Sequence, residues 1–153
     1  MTEIVITQER PDTRDALGLL TELDAALNPQ MYPAESRHAF SVEKLLRENV
    51  AFFVTRVDGA PAGCGGIKLF GTEYGEVKRM FVRAKFRGHG LGEQMLNQLA
   101  SHAKANGVNV LRLETGIYQT HAIALYERYG FIRCAPFGAY REDALSLYLE
   151  KGV

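Results

Sequence analysis

A short glycine-rich segment, residues 87–92 (RGHGLG), constrains this chain more than any other part of its sequence. It follows a strand-like run at residues 76–82 and opens a helix-like run at residues 91–106. A turn from a strand into a helix directs free backbone N–H groups and the positive end of the helix dipole at one point. Its glycines let an anion approach the backbone closely, and Arg87 adds a positive charge at the rim. The segment therefore predicts a phosphate or pyrophosphate site.

Two common nucleotide sites do not fit this segment. A P-loop ends in Gly-Lys-Ser or Gly-Lys-Thr, and residues 87–92 contain neither. The dinucleotide fingerprint has a different glycine spacing and an acidic residue about 20 residues further on. Here the spacing is G-x-G-x-G, and the nearest acidic candidate is Glu114, at the end of a later strand. An ordinary tight turn remains an alternative, because a glycine-rich loop by itself is a weak signal.

The periodicity of the apolar residues predicts a single α/β domain covering residues 1–153, in the order β-α-α-β-β-β-α-β-α-β-β. An antiparallel first half and a β-α-β-α-β second half imply a mixed sheet. On the first helix, Leu17, Leu20, Leu23 and Leu27 are expected to form the buried stripe. The predicted strands are residues 4–7, 50–57, 62–70, 76–82, 108–114, 131–134 and 144–149. The predicted helices are residues 12–27, 41–48, 91–106 and 120–129, with Ser41 as the N-cap of the second.

Composition narrows the classes of partner. Lys plus Arg and Asp plus Glu are both 18, so the formal net charge is zero, and neither nucleic acid nor a membrane is expected as a partner. The N-terminus lacks the features of a signal peptide, and a cytoplasmic location is the default expectation. Cys64 and Cys134 lie in apolar runs and are expected to be buried free thiols. The four histidines show no metal-ligand spacing, so no metal is expected.

A second segment, residues 122–131 (AIALYERYGF), supplies the context for the loop. Together the two segments resemble the GNAT superfamily of acetyl-coenzyme A-dependent N-acetyltransferases. In that family the first segment holds the pyrophosphate of coenzyme A, and the second is an A-x-x-L-Y-x-x-x-G-F helix-to-strand signature. The resemblance runs from about Val50 to the end of the chain. Residues 32–38 (YPAESRH) are similar to a segment found in a subset of the family.

The resemblance implies a GNAT-like fold whose mixed sheet splays open between the strand before Arg87 and the strand after Gly107. The pantetheine arm of acetyl-CoA would lie in this gap along the first strand, and the pyrophosphate would rest on the loop amides. Gln119 stands where the family commonly has Asn, which leaves its contact with pantetheine open. The cofactor-binding residues implied are Met80, Phe81, Val82, Arg87, Gly88, His89, Gly90, Leu91, Gly92, Glu93, Gln119 and Tyr126.

Two catalytic residues follow from the resemblance. Tyr126 matches the family tyrosine that protonates the leaving thiolate, and a phenol of pKa about 10 is a reasonable acid toward a thiolate of pKa about 8.5. A purely packed aromatic is the alternative for this residue. Glu76 stands near the usual base, acting directly or through water, and is expected on the same strand face as Met80 by period two. A solvated strand-end carboxylate is the alternative, and Glu114 is a weaker rival as base.

The acceptor is expected to be a primary amine on a small molecule, with an amino-acid-like compound as one option. Glu35 would then contact the ammonium group, and Arg37 or His38 the carboxylate. The acceptor-binding residues expected are Tyr32, Glu35, Ser36, His38, Phe137 and Tyr140. A homodimer is compatible with the sequence. A non-catalytic acyl-CoA-binding sensor or interaction module of the same fold remains an alternative to the enzyme.

Overall fold

A computed structural model of the chain describes residues 2–27, 32 and 40–153. The elements in these residues follow the predicted order. They are β1 (Ile4–Gln8), α1 (Arg14–Ala26), α2 (Val42–Arg47), β2 (Ala51–Val57), β3 (Ala60–Phe70), β4 (Tyr74–Val82), α3 (Leu91–Ala105), β5 (Val110–Gly116), α4 (Thr120–Tyr129), β6 (Ile132–Arg133) and β7 (Ser146–Gly152). The strands form one mixed sheet in the order β1-β2-β3-β4-β5-β7-β6. Within the described part of the chain no helix is long and apolar enough to cross a membrane.

Local signals set where the first two helices begin. Thr13 precedes α1, and its hydroxyl accepts a hydrogen bond from the Ala16 N–H at 3.2 Å. Ser41 precedes α2 as predicted, and its hydroxyl accepts from the Lys44 N–H at 3.1 Å. Each cap satisfies an amide that has no partner inside its helix.

Helices cover both faces of the sheet. On one face α3 and α4 pack against the sheet around Leu96, Leu99 and Leu111. On the other face α1 and α2 pack around Leu19 and Phe52. These two apolar clusters, named below the α3 side and the α1 side, hold the strands between them.

The stripe predicted for α1 is partly wrong. The buried residues of α1 are Ala16, Leu19, Leu20 and Leu23, whereas 43% of Leu17 is exposed. Residues three apart on a helix lie about 300° apart, so a run taken in steps of three turns progressively away from the core. The set at positions i, i+3, i+4 and i+7 stays on one face, and it starts at Ala16.

A substitution of Leu99 by alanine tests the core on the α3 side. Leu99 is fully buried, and its loss leaves a cavity, so Leu99→Ala should lower the free energy of unfolding by about 2–5 kcal/mol. The matched control is Leu17→Ala, which removes the same atoms from an exposed helix position and should change it by less than about 0.5 kcal/mol. Denaturation in urea measures both; equal shifts would contradict this description of the core.

The sheet is split between β4 and β5. These parallel strands pair only at Gly75 with Leu111 and Glu76 with Arg112. Beyond Glu76 the two strands diverge, and the edge of β4 that faces β5 has no strand partner among the described residues. The predicted splay between these strands is confirmed.

A β-bulge interrupts β4 within this diverging part. Lys78 pairs with Gly66 and Phe81 with Cys64, so Arg79 and Met80 together oppose a single residue of β3. Arg79 has a φ of 56°, in the left-handed region that a non-glycine residue rarely adopts. The inserted residue moves Met80 to the α3 side, the side of Val77, whereas Phe81 packs on the α1 side.

The expectation that Glu76 and Met80 share a face is therefore wrong. Period two holds from Glu76 to Lys78 and fails at the inserted residue. Glu76 and Lys78 contact each other, and Lys78 lies over the ring of Phe40 on the α1 side. Met80 lies on the opposite face, although both Glu76 and Met80 border the split.

Candidate active site

A cavity of about 360 Å³ lies in the split between β4 and β5. The C-terminal end of α1 and the two tyrosines Tyr32 and Tyr140 close it on one side, and α4 closes it on the other. Its lining combines apolar, aromatic and charged side chains, and it brings together the residues predicted to act as acid and base. A cavity of this size suits a small organic substrate.

Tyr126 lies on α4 and lines the cavity. Only 6% of its surface is exposed, and its ring packs edge-on against Phe131 at a centroid distance of 5.7 Å. Burial, with a smaller contribution from the Glu114 carboxylate, raises the pKa of Tyr126 above its usual value. The hydroxyl is therefore protonated at neutral pH and available as a proton donor.

Glu76 lies on the other wall of the cavity, near the point where the strands separate, and is 4% exposed. Its Oε2 accepts hydrogen bonds from the Lys78 ammonium at 2.9 Å and from the Tyr140 hydroxyl at 2.5 Å. Burial, and next the Glu76 carboxylate, raise the pKa of Tyr140, so this phenol remains a donor to Glu76. The arrangement fixes one carboxylate oxygen of Glu76.

Glu114, the rival base, lies across the split on β5 and also lines the cavity. Its Oε2 accepts a hydrogen bond from the Ser146 hydroxyl at 2.8 Å. The cavity thus holds carboxylates on both diverging strands.

Tyr32 and Gln119 meet at the end of the cavity. The Tyr32 hydroxyl accepts hydrogen bonds from the Tyr118 N–H at 3.0 Å and from the Gln119 side-chain amide at 3.3 Å. A Cβ at Gly116 would come within 2.2 Å of the Tyr32 oxygen, so only glycine lets the tyrosine close over β5. The amide predicted to contact pantetheine is thus oriented by a residue predicted to contact the acceptor.

The predicted anion loop is open to solvent. Arg87, Gly88, His89 and Gly90 are exposed, and the Arg87 Nε donates to the carbonyl oxygen of Val82 at 3.3 Å. Gly90 is the N-cap of α3 with a φ of 77°, and it provides no side-chain hydrogen bond to the helix start. The first amides of α3 can therefore donate to a bound anion, with exposed Glu93 as the acidic residue of the first turn.

Leu91 and Gly92, besides belonging to the predicted anion loop, have structural roles. Leu91 is buried in the apolar layer. A Cβ at Gly92 would come within 2.6 Å of the Leu125 side chain, so this glycine permits close packing of α3 against α4. A bulky residue at Gly92 would displace the helix that bears Tyr126, which makes Gly90 the sharper position for testing the loop.

The remaining predicted residues are placed as follows. Met80 lines the cavity, and Phe81 and Val82 continue β4 along its free edge. Phe137 does not line the cavity; it packs with Tyr74 and Tyr148 in an aromatic cluster and contacts the Tyr140 ring edge-on at 5.2 Å. Glu35, Ser36 and His38 lie outside the described residues.

Neither cysteine forms a disulfide in the part of the chain that the structure describes. Cys64 is buried, and burial raises its pKa to about 12, which keeps it a thiol. Cys134 is half-buried and also free. In residues 2–27, 32 and 40–153 no group of three or more His, Cys, Asp or Glu side chains is arranged to hold a metal ion.

Three charged residues of the cavity were missed by the sequence interpretation: Asp24, Lys78 and Arg79. The side chains of Lys78 and Arg79 are 8% and 7% exposed. Adjacent residues of a regular strand face opposite sides, so nothing in the sequence indicated that both would border one cavity. The bulge at Arg79 brings them together.

Known proteins resemble this chain over its full length. The model of the Acetyltransferase (GNAT) family matches residues 19–131. An IAA acetyltransferase from Azospirillum brasilense is 42% identical over 153 residues, which cover 99% of each chain. The structure of a candidate acyl-CoA N-acyltransferase from Klebsiella pneumoniae is 33% identical with a TM-score of 0.82, over 97% of each chain. A GNAT family acetyltransferase from Elizabethkingia anophelis, solved with acetyl-CoA bound, shares the fold at 21% identity, with a TM-score of 0.72 over 98% of each chain.

The family match covers most of the chain and coincides with the split sheet and the glycine loop described above. The relative from Azospirillum brasilense matches it end to end. The chain belongs to the GNAT family and is an acetyltransferase.

Proposed function

We propose that the protein transfers the acetyl group of acetyl-CoA to a primary amine of a small-molecule acceptor, by direct attack in a ternary complex. One observation carries the proposal: a single cavity places Tyr126 and Glu76 on its opposite walls, at the place where β4 presents a free edge. An extended pantetheine arm suits that edge as an added strand. The acetyl-CoA bound to the Elizabethkingia anophelis protein supports the choice of donor.

The loop at the start of α3 fits the pyrophosphate. A Cβ at Gly88 or Gly90 would meet no other atom within 4 Å, so the backbone there is open to a ligand. The amides of the first turn and the Arg87 guanidinium supply donors and positive charge for a dianion.

The acceptor enters as an ammonium group and loses one proton to Glu76, directly or through a water molecule, and the lone pair of the neutral amine then attacks the thioester carbonyl. The C–N bond forms and a tetrahedral intermediate results. As the intermediate collapses the C–S bond breaks, Tyr126 protonates the leaving thiolate, and the second proton of the nitrogen restores the Tyr126 phenol, so that the amide, free coenzyme A and a protonated Glu76 remain. Burial disfavours the thiolate as it does the phenolate, so the same apolar surroundings that raise the pKa of Tyr126 also raise the proton affinity of the sulfur.

The general base is tested by Glu76→Gln, which keeps the shape of the side chain and removes its negative charge. We expect the rate near neutrality to fall by about 10²-fold, the usual contribution of a positioned general base. Glu114→Gln is the matched control from the other strand and should retain most of the rate. A rate unchanged in Glu76→Gln and lost in Glu114→Gln would assign the base to Glu114.

The activity itself is tested by release of free thiol from acetyl-CoA in the presence of a panel of primary amines. IAA forms a separate arm of the panel, since the Azospirillum brasilense relative is called an IAA acetyltransferase. We expect amine-dependent release with mass-spectrometric detection of the acetylated amine. A thermal shift with coenzyme A but no amine-dependent release across the panel would overturn the proposal of amine acetylation.

A further inference from the structure

The two consecutive cations on β4, Lys78 and Arg79, lie on the side of the cavity that α1 closes, named here the acceptor side. Lys78 follows the regular alternation of the strand, and the left-handed residue Arg79 turns its side chain to the same side. Lys78 contacts the ring of Phe40, and Arg79 contacts the C-terminal half of α1. Both cations therefore border the part of the cavity that is not next to α4.

Lys78 has more donors than its carboxylate partner uses. Its ammonium group donates to Glu76 at 2.9 Å and lies 3.4 Å from the Tyr140 hydroxyl, at the limit of a hydrogen bond. The ring centroid of Phe40 lies 4.2 Å away on another side. An ammonium group has three N–H donors, so one remains for a ligand that displaces the aromatic contact.

Arg79 has a buried donor with no partner. Its Nη2 donates to Asp24 at 2.5 Å and to the carbonyl oxygen of Leu20 at 3.5 Å. Its Nε is buried, and no group in the described part of the chain accepts a hydrogen bond from it. Buried donors without a partner are rare in folded proteins. A guanidinium group that lines a cavity and whose Nε–H has no partner is suited to a carboxylate.

Three carboxylates also line the cavity: Asp24, which accepts a hydrogen bond from Arg79, Glu76, which accepts one from Lys78, and Glu114 across the split. Glu76 and Glu114 border the diverging strands, where an acceptor ammonium group would be deprotonated. The apolar side chains Leu23, Leu27 and Phe40 lie on the acceptor side with the two cations. A molecule with an amine next to Glu76, a carboxylate next to Lys78 and Arg79, and an apolar side chain toward α1 matches this distribution of groups.

We propose that Lys78 and Arg79 form a carboxylate subsite and that the acceptor is accordingly an amino carboxylate with an apolar side chain. This inference rests on the proposed amine acetylation and specifies its substrate class. It assigns the carboxylate to β4, whereas the sequence expectation for this group was Arg37 or His38. The carboxylate of the acceptor would receive hydrogen bonds from the Lys78 ammonium and the Arg79 Nε.

The test compares each acceptor with a partner that lacks only the negative charge. Apolar L-amino acids are assayed as the free acid and as the carboxamide, and kcat/KM is measured for both. The acid should be preferred by about ten-fold or more, the order expected for a charge-assisted hydrogen bond. In Lys78→Gln and in Arg79→Gln the ratio of acid to amide should approach one, mainly through the KM of the acid, while the KM of acetyl-CoA stays unchanged.

Two further measurements separate a subsite from a structural effect. Arg83→Gln is the matched control, because Arg83, which directly follows β4, also pairs with a carboxylate of α1, Glu22, but does not line the cavity. Its ratio should equal that of the unmodified enzyme. Carboxylic acids that lack the amine should inhibit the unmodified enzyme competitively against the acceptor, and their amides should inhibit it about ten-fold less well. This inhibition needs no variant and therefore holds even where Arg79→Gln does not fold.

The outcomes distinguish this inference from the proposal on which it rests. Acetylation of amides and acids with equal kcat/KM, or a ratio unchanged in Lys78→Gln, would overturn the carboxylate subsite and leave amine acetylation standing. An absence of acetyl transfer to every amine, with coenzyme A still bound, would overturn both.

Discussion

We expect the Tyr126→Phe enzyme to turn over about 10²-fold more slowly than the unmodified enzyme, a loss within the usual range for a missing general acid. Phenylalanine keeps the buried ring and its edge contact with Phe131, so the fold and the KM of acetyl-CoA should change little. Single-turnover measurements with the preferred amine report the chemical step directly. The measured quantity is the rate of acetyl transfer at saturating acetyl-CoA.

Tyr129→Phe is the matched control for this experiment. Tyr129 lies on the same helix, and its hydroxyl donates to Asn97 at 2.7 Å, away from the cavity lining. Its turnover should stay within a factor of about two. If Tyr126→Phe behaves like Tyr129→Phe while chemistry is rate-limiting, Tyr126 is a packing residue and another group protonates the thiolate.

The pH profile gives an independent reading of the same hydroxyl. Because burial raises the pKa of Tyr126, the phenol stays protonated beyond the ordinary tyrosine value of about 10. Ionisation of Tyr126 therefore causes no loss of rate between neutral pH and pH about 10. A decline in that interval that disappears in Tyr126→Phe would contradict the environment described for this residue.

The second large effect is expected at the loop. Gly90→Val should weaken the binding of acetyl-CoA by about 10²-fold, since a branched side chain at the N-cap of α3 covers amides that would otherwise make charge-assisted hydrogen bonds of roughly 1.5–3 kcal/mol each. Titration calorimetry with coenzyme A measures the loss. Binding of a phosphopantetheine fragment, which lacks the pyrophosphate, should fall much less.

Backbone strain complicates any substitution at Gly90, and the chain offers a control for it. Gly107 has the same φ of 77° and lies just beyond the other end of α3, where a Cβ would meet only Thr72 at 3.8 Å. Valine at either position carries a strain of about 1–2 kcal/mol. Gly107→Val should therefore lose stability but keep its affinity for coenzyme A; an equal loss of affinity in both variants would show that strain, and not obstruction, accounts for the effect.

The sequence was sufficient for the order of the elements and the position of the loop because those features depend on local signals. Ser41 is the N-cap of α2 as predicted, and residues 83–90, which include a short 3₁₀ turn at Ala84–Phe86, connect β4 to α3. The split of the sheet followed from the family resemblance and is confirmed by the short pairing of β4 with β5.

The surroundings of the candidate base could not be predicted, because they depend on distant parts of the chain. Tyr140 is 64 residues from Glu76 in sequence, and their hydrogen bond exists only once the last loop folds back over β4. The bulge had no sequence signal either, since its left-handed residue is an arginine and not a glycine. The roles assigned to Tyr126 and Glu76 stay predictions until the variants above are measured.

The short pairing of β4 with β5 has a consequence for the durability of the protein. The two halves of the sheet are joined through two residue pairs of β4 and β5. A ligand that lies in the gap would contact both halves and hold them together. Any ligand that binds only the folded state raises the free energy of unfolding by RT ln(1 + [L]/Kd). The enzyme would then be most resistant to unfolding when its acyl donor is abundant. The lifetime of the folded protein would therefore depend on the concentration of the substrate that enters this gap.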